Sequence, residues 1–139
     1  MSSSPSLADL AWQEVVALHA FFETWLRESE SAMDFSEVEA AIGRDLRMIS
    51  PDGKIEEREA VVSWIRDARG SRGPDFRIVA SDPRAILAGD SAVLLEYTEQ
   101  QYRDGRTTRR RSTALFLASP AAPRGVEWRH LQESWTDVE

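Results

Sequence analysis

The chain has 139 residues, 42% of them hydrophobic, and a formal net charge of -7. That length fits one domain with a core of its own, and the acidic balance argues against general nucleic-acid binding, which needs a surplus of Lys and Arg on one face. Without cysteine there is no disulfide or sulfur-ligated zinc site, and His19 and His130 stand too far apart in sequence to suggest a metal site.

Residues 1–5, Met1 to Pro5, lack the basic and apolar regions of a signal peptide, and no run of about eighteen apolar residues follows that could span a bilayer. A cytoplasmic protein with a disordered tail over 1–5 is expected. Ser6 is placed to cap a helix ending near Glu28, with Asp9 completing a capping box and Leu7, Ala11, Val15, Leu18, Phe22 and Trp25 at helical spacing. Glu14 projects into that apolar arc, where an unpaired carboxylate is costly; it must reach a partner, line a cavity or sit at an open helix edge. His19 falls at the edge of the arc and reads as a boundary residue. A short helix is expected from Asp34 or Ser36 to Ile42 with Gly43 as its stop, then a strand from Asp45 to Ser50 ending at Pro51-Asp52-Gly53. A third helix is expected over Ile55 to Arg69. Trp25, Trp64 and Trp128 read first as core residues.

Phe76 to Ala80 and Arg84 to Ala88 read as a strand and a second strand, or its continuation past Asp82-Pro83. From Ala92 the chain forms a long hairpin about Asp104-Gly105, a dipeptide suited to a type I′ turn. That turn pairs Arg103 with Arg106, and so places Val93 opposite Phe116, Leu95 opposite Ala114, Tyr97 opposite Ser112 and Glu99 opposite Arg110 on one face, the better core. Setting Trp128 of the last strand, Val126 to Thr136, beside Phe116 then puts His130 beside Ala114, Gln132 beside Ser112 and Ser134 beside Arg110. Leu131, Glu133 and Trp135 fall on the opposite face, which suits a homodimer interface.

This order of helices and strands, with Arg111-Ser112-Thr113-Ala114-Leu115-Phe116, a loop and a strand opening at Trp128, resembles the nuclear transport factor 2-like superfamily, in particular its SnoaL-like and ketosteroid-isomerase-like members. The resemblance implies an α+β fold in one domain: a long N-terminal helix and two more helices on a curved, mainly antiparallel sheet, forming a cone with a pocket. It also implies dimers through the outer sheet surface. Many members carry a His-x-His-x-Ser ending where this chain reads Gln132-Glu133-Ser134-Trp135.

On this register Glu14, Tyr97 and His130 are the catalytic candidates: a carboxylate base, a phenol that donates to a developing enolate oxygen, and an imidazole shuttle. Trp25, Glu99, Arg110 and Gln132 are the ligand-contacting candidates. Two readings stay open. One is a cofactor-free pocket protein that binds, isomerises, dehydrates or cyclises a small apolar molecule, with no metal; the other is a non-enzymatic dimeric association module.

Overall fold

Ser6 opens the first helix through the expected capping box: its Oγ accepts from the Asp9 amide at 3.1 Å, and its own amide donates to Asp9 Oδ2 at 3.2 Å. This helix, α1 (Leu7–Arg27), belongs to a computed structural model that describes residues 4–28 and 32–137. Met1, Ser2 and Ser3 of the expected tail lie outside the described residues. There follow α2 (Ser36–Ala41), β1 (Ile42–Ile49), β2 (Ile55–Glu57), α3 (Arg58–Asp67), β3 (Arg77–Ala88), β4 (Ala92–Arg103), β5 (Arg106–Ala118) and β6 (Val126–Thr136). The strands form one sheet in the order β2-β1-β6-β5-β4-β3, antiparallel except where β1 runs parallel to β6. α1 turns Ala11, Val15, Leu18, Phe21, Trp25 and Leu26 inward and packs against β3 and β4, so the architecture is the expected α+β one. Among the described residues no helix is long and apolar enough to cross a membrane.

Two boundaries differ from expectation, and a third feature decides between the alternatives left open for residues 76–88. Ile55–Glu57, expected to be helical, instead pair back onto Arg47–Ile49 across a turn in which the Gly53 amide donates to Ser50 O at 2.9 Å. Ladder hydrogen bonds outweigh a weak local helix preference there, so α3 begins only at Arg58. Gly43, expected to stop α2, lies inside β1, where a Cβ would stand 2.7 Å from Trp128 O; the glycine permits close approach to β6. The break at Asp82 is a bulge within β3: Asp82 takes φ 55° and the register with β4 shifts between Ser81 and Arg84.

The hairpin turns as expected, with φ of 53° at Asp104 and 76° at Gly105, and Arg103 pairs with Arg106. All the predicted β4–β5 pairs form, including Tyr97 with Ser112 and Glu99 with Arg110. β6 is where the expected register fails. Trp128 does lie beside Phe116, but the next pair is His130 with Leu115, which leaves Arg129 as the extra residue of a β-bulge. Arg129 Nη1 donates to Asp45 O at 2.7 Å, tying the bulge to β1. Beyond it the parity is inverted: Leu131 pairs with Ala114, Glu133 with Ser112 and Trp135 with Arg110, while His130, Gln132 and Ser134 turn to the outer face.

Candidate functional site

Because paired residues share a face, the inner side of β4, β5 and β6 is a stack of three rungs: Leu95–Ala114–Leu131, Tyr97–Ser112–Glu133 and Glu99–Arg110–Trp135. The middle strand supplies only alanine and serine to the first two rungs. Between this stack and the helices lies a cavity of about 830 Å³, with apolar walls from residues such as Leu18, Phe22, Leu46, Met48, Ile65 and Leu131. Its rim includes Asp52 from the β1–β2 turn and Asp104 from the hairpin tip.

The polar groups are concentrated on the two outer rungs and on α1. His19 is buried, with Nδ1 2.7 Å from Val15 O and Nε2 2.7 Å from Glu99 Oε1. Both partners are acceptors, so both ring nitrogens donate and the ring is an imidazolium. Burial opposes that charge, but the hydrogen bond and charge of Glu99, and then the Val15 carbonyl, outweigh it and raise the His19 pKa above its ordinary value. Burial likewise disfavours ionised Glu99, yet His19, Arg110 and Gln101 together lower its pKa; Gln101 Nε2 donates to Glu99 Oε2 at 2.6 Å. Glu99 is thus a fixed negative charge.

Glu133 is different. It is 5% exposed, and burial, reinforced by the charge of Glu99, lifts its pKa from 4.5 to about 7. Arg110 opposes the rise: its Nη1 donates to Glu133 Oε1 at 3.3 Å, while its Nε stands 3.3 Å from Glu99 Oε2 without hydrogen-bond alignment. Trp135 covers the same guanidinium, with the ring centroid 4.6 Å from its carbon. Ser112 Oγ donates to Glu133 Oε2 at 3.4 Å. Tyr97 completes the rung. Its hydroxyl is buried without a well-formed hydrogen bond, its ring meets His19 edge-on at 5.8 Å, and burial followed by the charges of Glu99 and Glu133 pushes its pKa well above the ordinary value. Two carboxylates with pKa values driven apart, beside a phenol that makes no well-formed hydrogen bond, can move a proton and donate to an oxygen. Among the described residues no group of three His, Asp or Glu is arranged to hold a metal ion.

Tyr97, Glu99 and Arg110 line this cavity, as expected from the sequence, and the other four candidates do not. Glu14 is fully buried behind it, accepting from Trp128 Nε1 and Arg124 Nη1, each at 3.3 Å; Arg124 also reaches Glu37. Of the alternatives for Glu14, it has found a partner. His130 and Gln132 are turned away by the bulge at Arg129, and burial, followed by the charges of Arg47 and Arg129, lowers the His130 pKa. Trp25 is core, its Nε1 donating to Ile65 O at 2.9 Å. Trp64, expected in the core, is 56% exposed and lines the cavity instead. Leu131 and Trp135, expected on an outer dimer face, also line it. His19 and Glu133 are the polar residues that the sequence reasoning missed.

Neither a protein-family model nor a curated protein matches the sequence. Solved structures do. An NTF-2 like protein of unknown function from Pseudomonas aeruginosa, 24% identical, matches 92% of this chain and 99% of its own with a TM-score of 0.82. The chain has the nuclear transport factor 2-like fold. The same fold relates it to the CaMKII hub of S. rosetta, 18% identical over 98% of this chain and all of that one, with a TM-score of 0.68. A protein with a cystatin-like fold from Caulobacter vibrioides, 14% identical, matches 93% of this chain and 89% of its own at a TM-score of 0.68. At these identities the likeness is one of fold.

Proposed function

We propose that the protein binds a small, largely apolar carbonyl compound in the cavity and transfers a proton on it, as an isomerase or dehydratase would. One observation carries this reading: Glu133, buried with a pKa of about 7, shares a rung with a Tyr97 hydroxyl that has no well-formed hydrogen bond. A base that titrates near neutrality is ionised often enough to act and still basic enough to accept. Glu133 removes a proton from the carbon next to the carbonyl; the C–H electron pair forms the new carbon–carbon double bond and the carbonyl π pair moves to oxygen. Tyr97 O–H donates to that enolate oxygen. In a conjugated dienolate, return of the proton from Glu133 to the γ-carbon gives an isomer; where a β-hydroxyl is present, the enolate pair re-forms the carbonyl, the Cα=Cβ bond forms as the C–O bond breaks, and the hydroxyl leaves as water with the proton held by Glu133. His19, Glu99 and Arg110 act as positioning residues: the His19–Glu99 pair keeps a negative charge beside Glu133, and Arg110 orients both carboxylates. A cytoplasmic location and chemistry without a cofactor belong to the same proposal.

The test is exchange of α-hydrogens in apolar ketones incubated with the protein in heavy water, followed by NMR. Exchange is expected to rise with pH through about 7, to disappear in Glu133→Gln and to slow roughly a hundredfold in Tyr97→Phe. Ketones that bind without exchange, or exchange that survives Glu133→Gln, would sink the reading.

A second reading, self-association, draws on the outer sheet face. There Val79 and Leu87 are 54% and 63% exposed, and Leu87, Leu94 and Leu115 fall on one rung. The hub of S. rosetta is similar in fold. Any such interface uses this rung rather than Leu131 and Trp135; sedimentation of a monomer at tens of micromolar would count against it.

A further inference from the structure

The cavity carries a partly buried positive charge that its own walls do not neutralise. Lys54 pairs with Glu56 at 2.9 Å, Arg103 with Asp104 at 3.5 Å, and Arg110 lies between Glu99 and Glu133. Arg106, at the hairpin tip, is exposed to water. Arg72, on the segment after α3, has none of these arrangements. It lines the cavity and is only partly exposed, yet no carboxylate among the described residues lies within ion-pair distance of it. Its Nε is buried with no hydrogen-bond partner, and its guanidinium carbon stands 6.0 Å from the Trp64 ring centroid.

The backbone beneath Arg72 is well tied. Its amide donates to Leu26 O at 2.8 Å and the Gly70 amide to Trp25 O at 2.9 Å, which stitches the segment to the end of α1. The guanidinium is therefore carried by a fixed segment while its buried Nε donor goes unused. Burial, followed by the charges of Arg103 and Arg110, disfavours its protonated form; both of these charges are positive. A partly desolvated guanidinium among like charges is stabilised when an anion completes it, and its planar fork matches an oxyanion in two-point contact. Among the described residues no anion serves it, and one unpaired cation calls for a single negative charge.

We propose that Arg72 anchors the monoanionic head group, a carboxylate or sulfonate, of the ligand whose apolar body fills the cavity toward Tyr97 and Glu133. This rests on the cavity being the ligand site proposed above, and it adds the charge of the ligand and the residue that reads it. The site is local. With a net charge of -7, the protein as a whole repels an anion, so any preference for one must arise at a cation such as this.

The probes are anilinonaphthalene sulfonate, a monoanion, and phenylnaphthylamine, its uncharged parent, titrated by fluorescence against the full chain. The sulfonate is expected to bind wild-type protein more tightly than the parent, and sodium chloride added above about 0.1 M, where the long-range repulsion of the net charge is already screened, to weaken the sulfonate only. Arg72→Gln should weaken the sulfonate roughly tenfold or more and leave the parent dye within about twofold, with partial recovery in Arg72→Lys. Arg103→Gln, whose cation already has Asp104, should leave both dyes unchanged. Sulfonate binding that is unaffected by Arg72→Gln, equal loss of both dyes, or sulfonate binding that salt strengthens would each overturn the anchor. The salt arm needs no variant, so it stands even if Arg72→Gln fails to fold. If neither dye binds wild-type protein, the cavity reading falls and takes the anchor with it. If the dyes behave as expected while ketone exchange survives Glu133→Gln, the acid/base reading falls alone.

Discussion

Replacing Glu133 with Gln should change how stability depends on pH. In the folded protein the Glu133 pKa is about 7, against an ordinary 4.5 for an unfolded chain. A carboxyl group with a raised folded pKa holds its proton more tightly when folded. Its contribution is fully present below 4.5, where both states are protonated, and is lost as pH rises through about 7, where the folded state must carry a buried carboxylate. At about 1.4 kcal/mol for each pKa unit, the loss reaches about 3 kcal/mol, a large fraction of a typical domain stability. Gln keeps the shape and cannot ionise, while His19 and Glu99 remain in both proteins, so the difference between the two stability curves reports Glu133 together with its coupling to those two groups. Urea unfolding from about pH 4 to about pH 8 measures it. Wild-type protein should lose about 3 kcal/mol relative to Glu133→Gln across that window. Two parallel curves would show that Glu133 ionises normally and would remove the physical basis for its role as a base.

Three further outcomes are expected. Only two histidines are present, and an NMR titration should resolve them on opposite sides of the ordinary value of 6.5, His19 above it and His130 below; His130→Asn assigns the signals, and coincident midpoints would contradict the ion-paired imidazolium. His19→Ala strips the Nε2 donor from buried Glu99 and should cost about 3 kcal/mol in denaturant unfolding; a change below about 0.5 kcal/mol would mean that Arg110 and Gln101 suffice. Gly43→Ala drives a Cβ against the Trp128 carbonyl and should destabilise by about 1–3 kcal/mol, read as a lowered melting temperature; an unchanged one would mean that β1 and β6 can separate at no cost.

The fold was legible where a local rule and a long-range need agree. The capping box at Ser6 and Asp9, the helical stripe of α1 and the Asp104-Gly105 turn are each determined within a few residues, and the turn alone carries the whole β4–β5 register. Ile55–Glu57 and Gly43 were misread because their partners are remote. A three-residue strand exists only because Arg47–Ile49 is there to receive it, and a glycine that ends a helix resembles one that admits a neighbouring strand. Half of the site followed from the hairpin: Tyr97, Glu99 and Arg110 face inward by alternation from the turn. His19 was passed over because its partner, Glu99, is remote in sequence and a helical projection does not show it.

Glu133 was lost to a single residue, and the chain does carry a trace of it. In β6 the buried apolar residues Val126 and Trp128 occupy even positions, whereas Leu131 and Trp135, which line the cavity, occupy odd ones. Strict alternation cannot place all four on one face, so either the strand is two-sided or it contains an extra residue between Trp128 and Leu131. The first option requires Leu131 and Trp135 to find cover outside the domain, which is how a dimer interface enters the reasoning. The bulge at Arg129 needs no such cover. It brings both residues to the cavity and moves Glu133 with them, from an outer position beside Arg111 to an inner one between Ser112, Arg110 and the charge of Glu99. The raised pKa of Glu133 is therefore a consequence of backbone geometry two turns of the pleat away. Were all residues of β6, Arg129 included, to pair without the bulge, His130 and Gln132 would return to the cavity face and Glu133 to the outer one; a chain lacking Arg129 would instead keep Glu133 opposite Ser112 in a regular ladder.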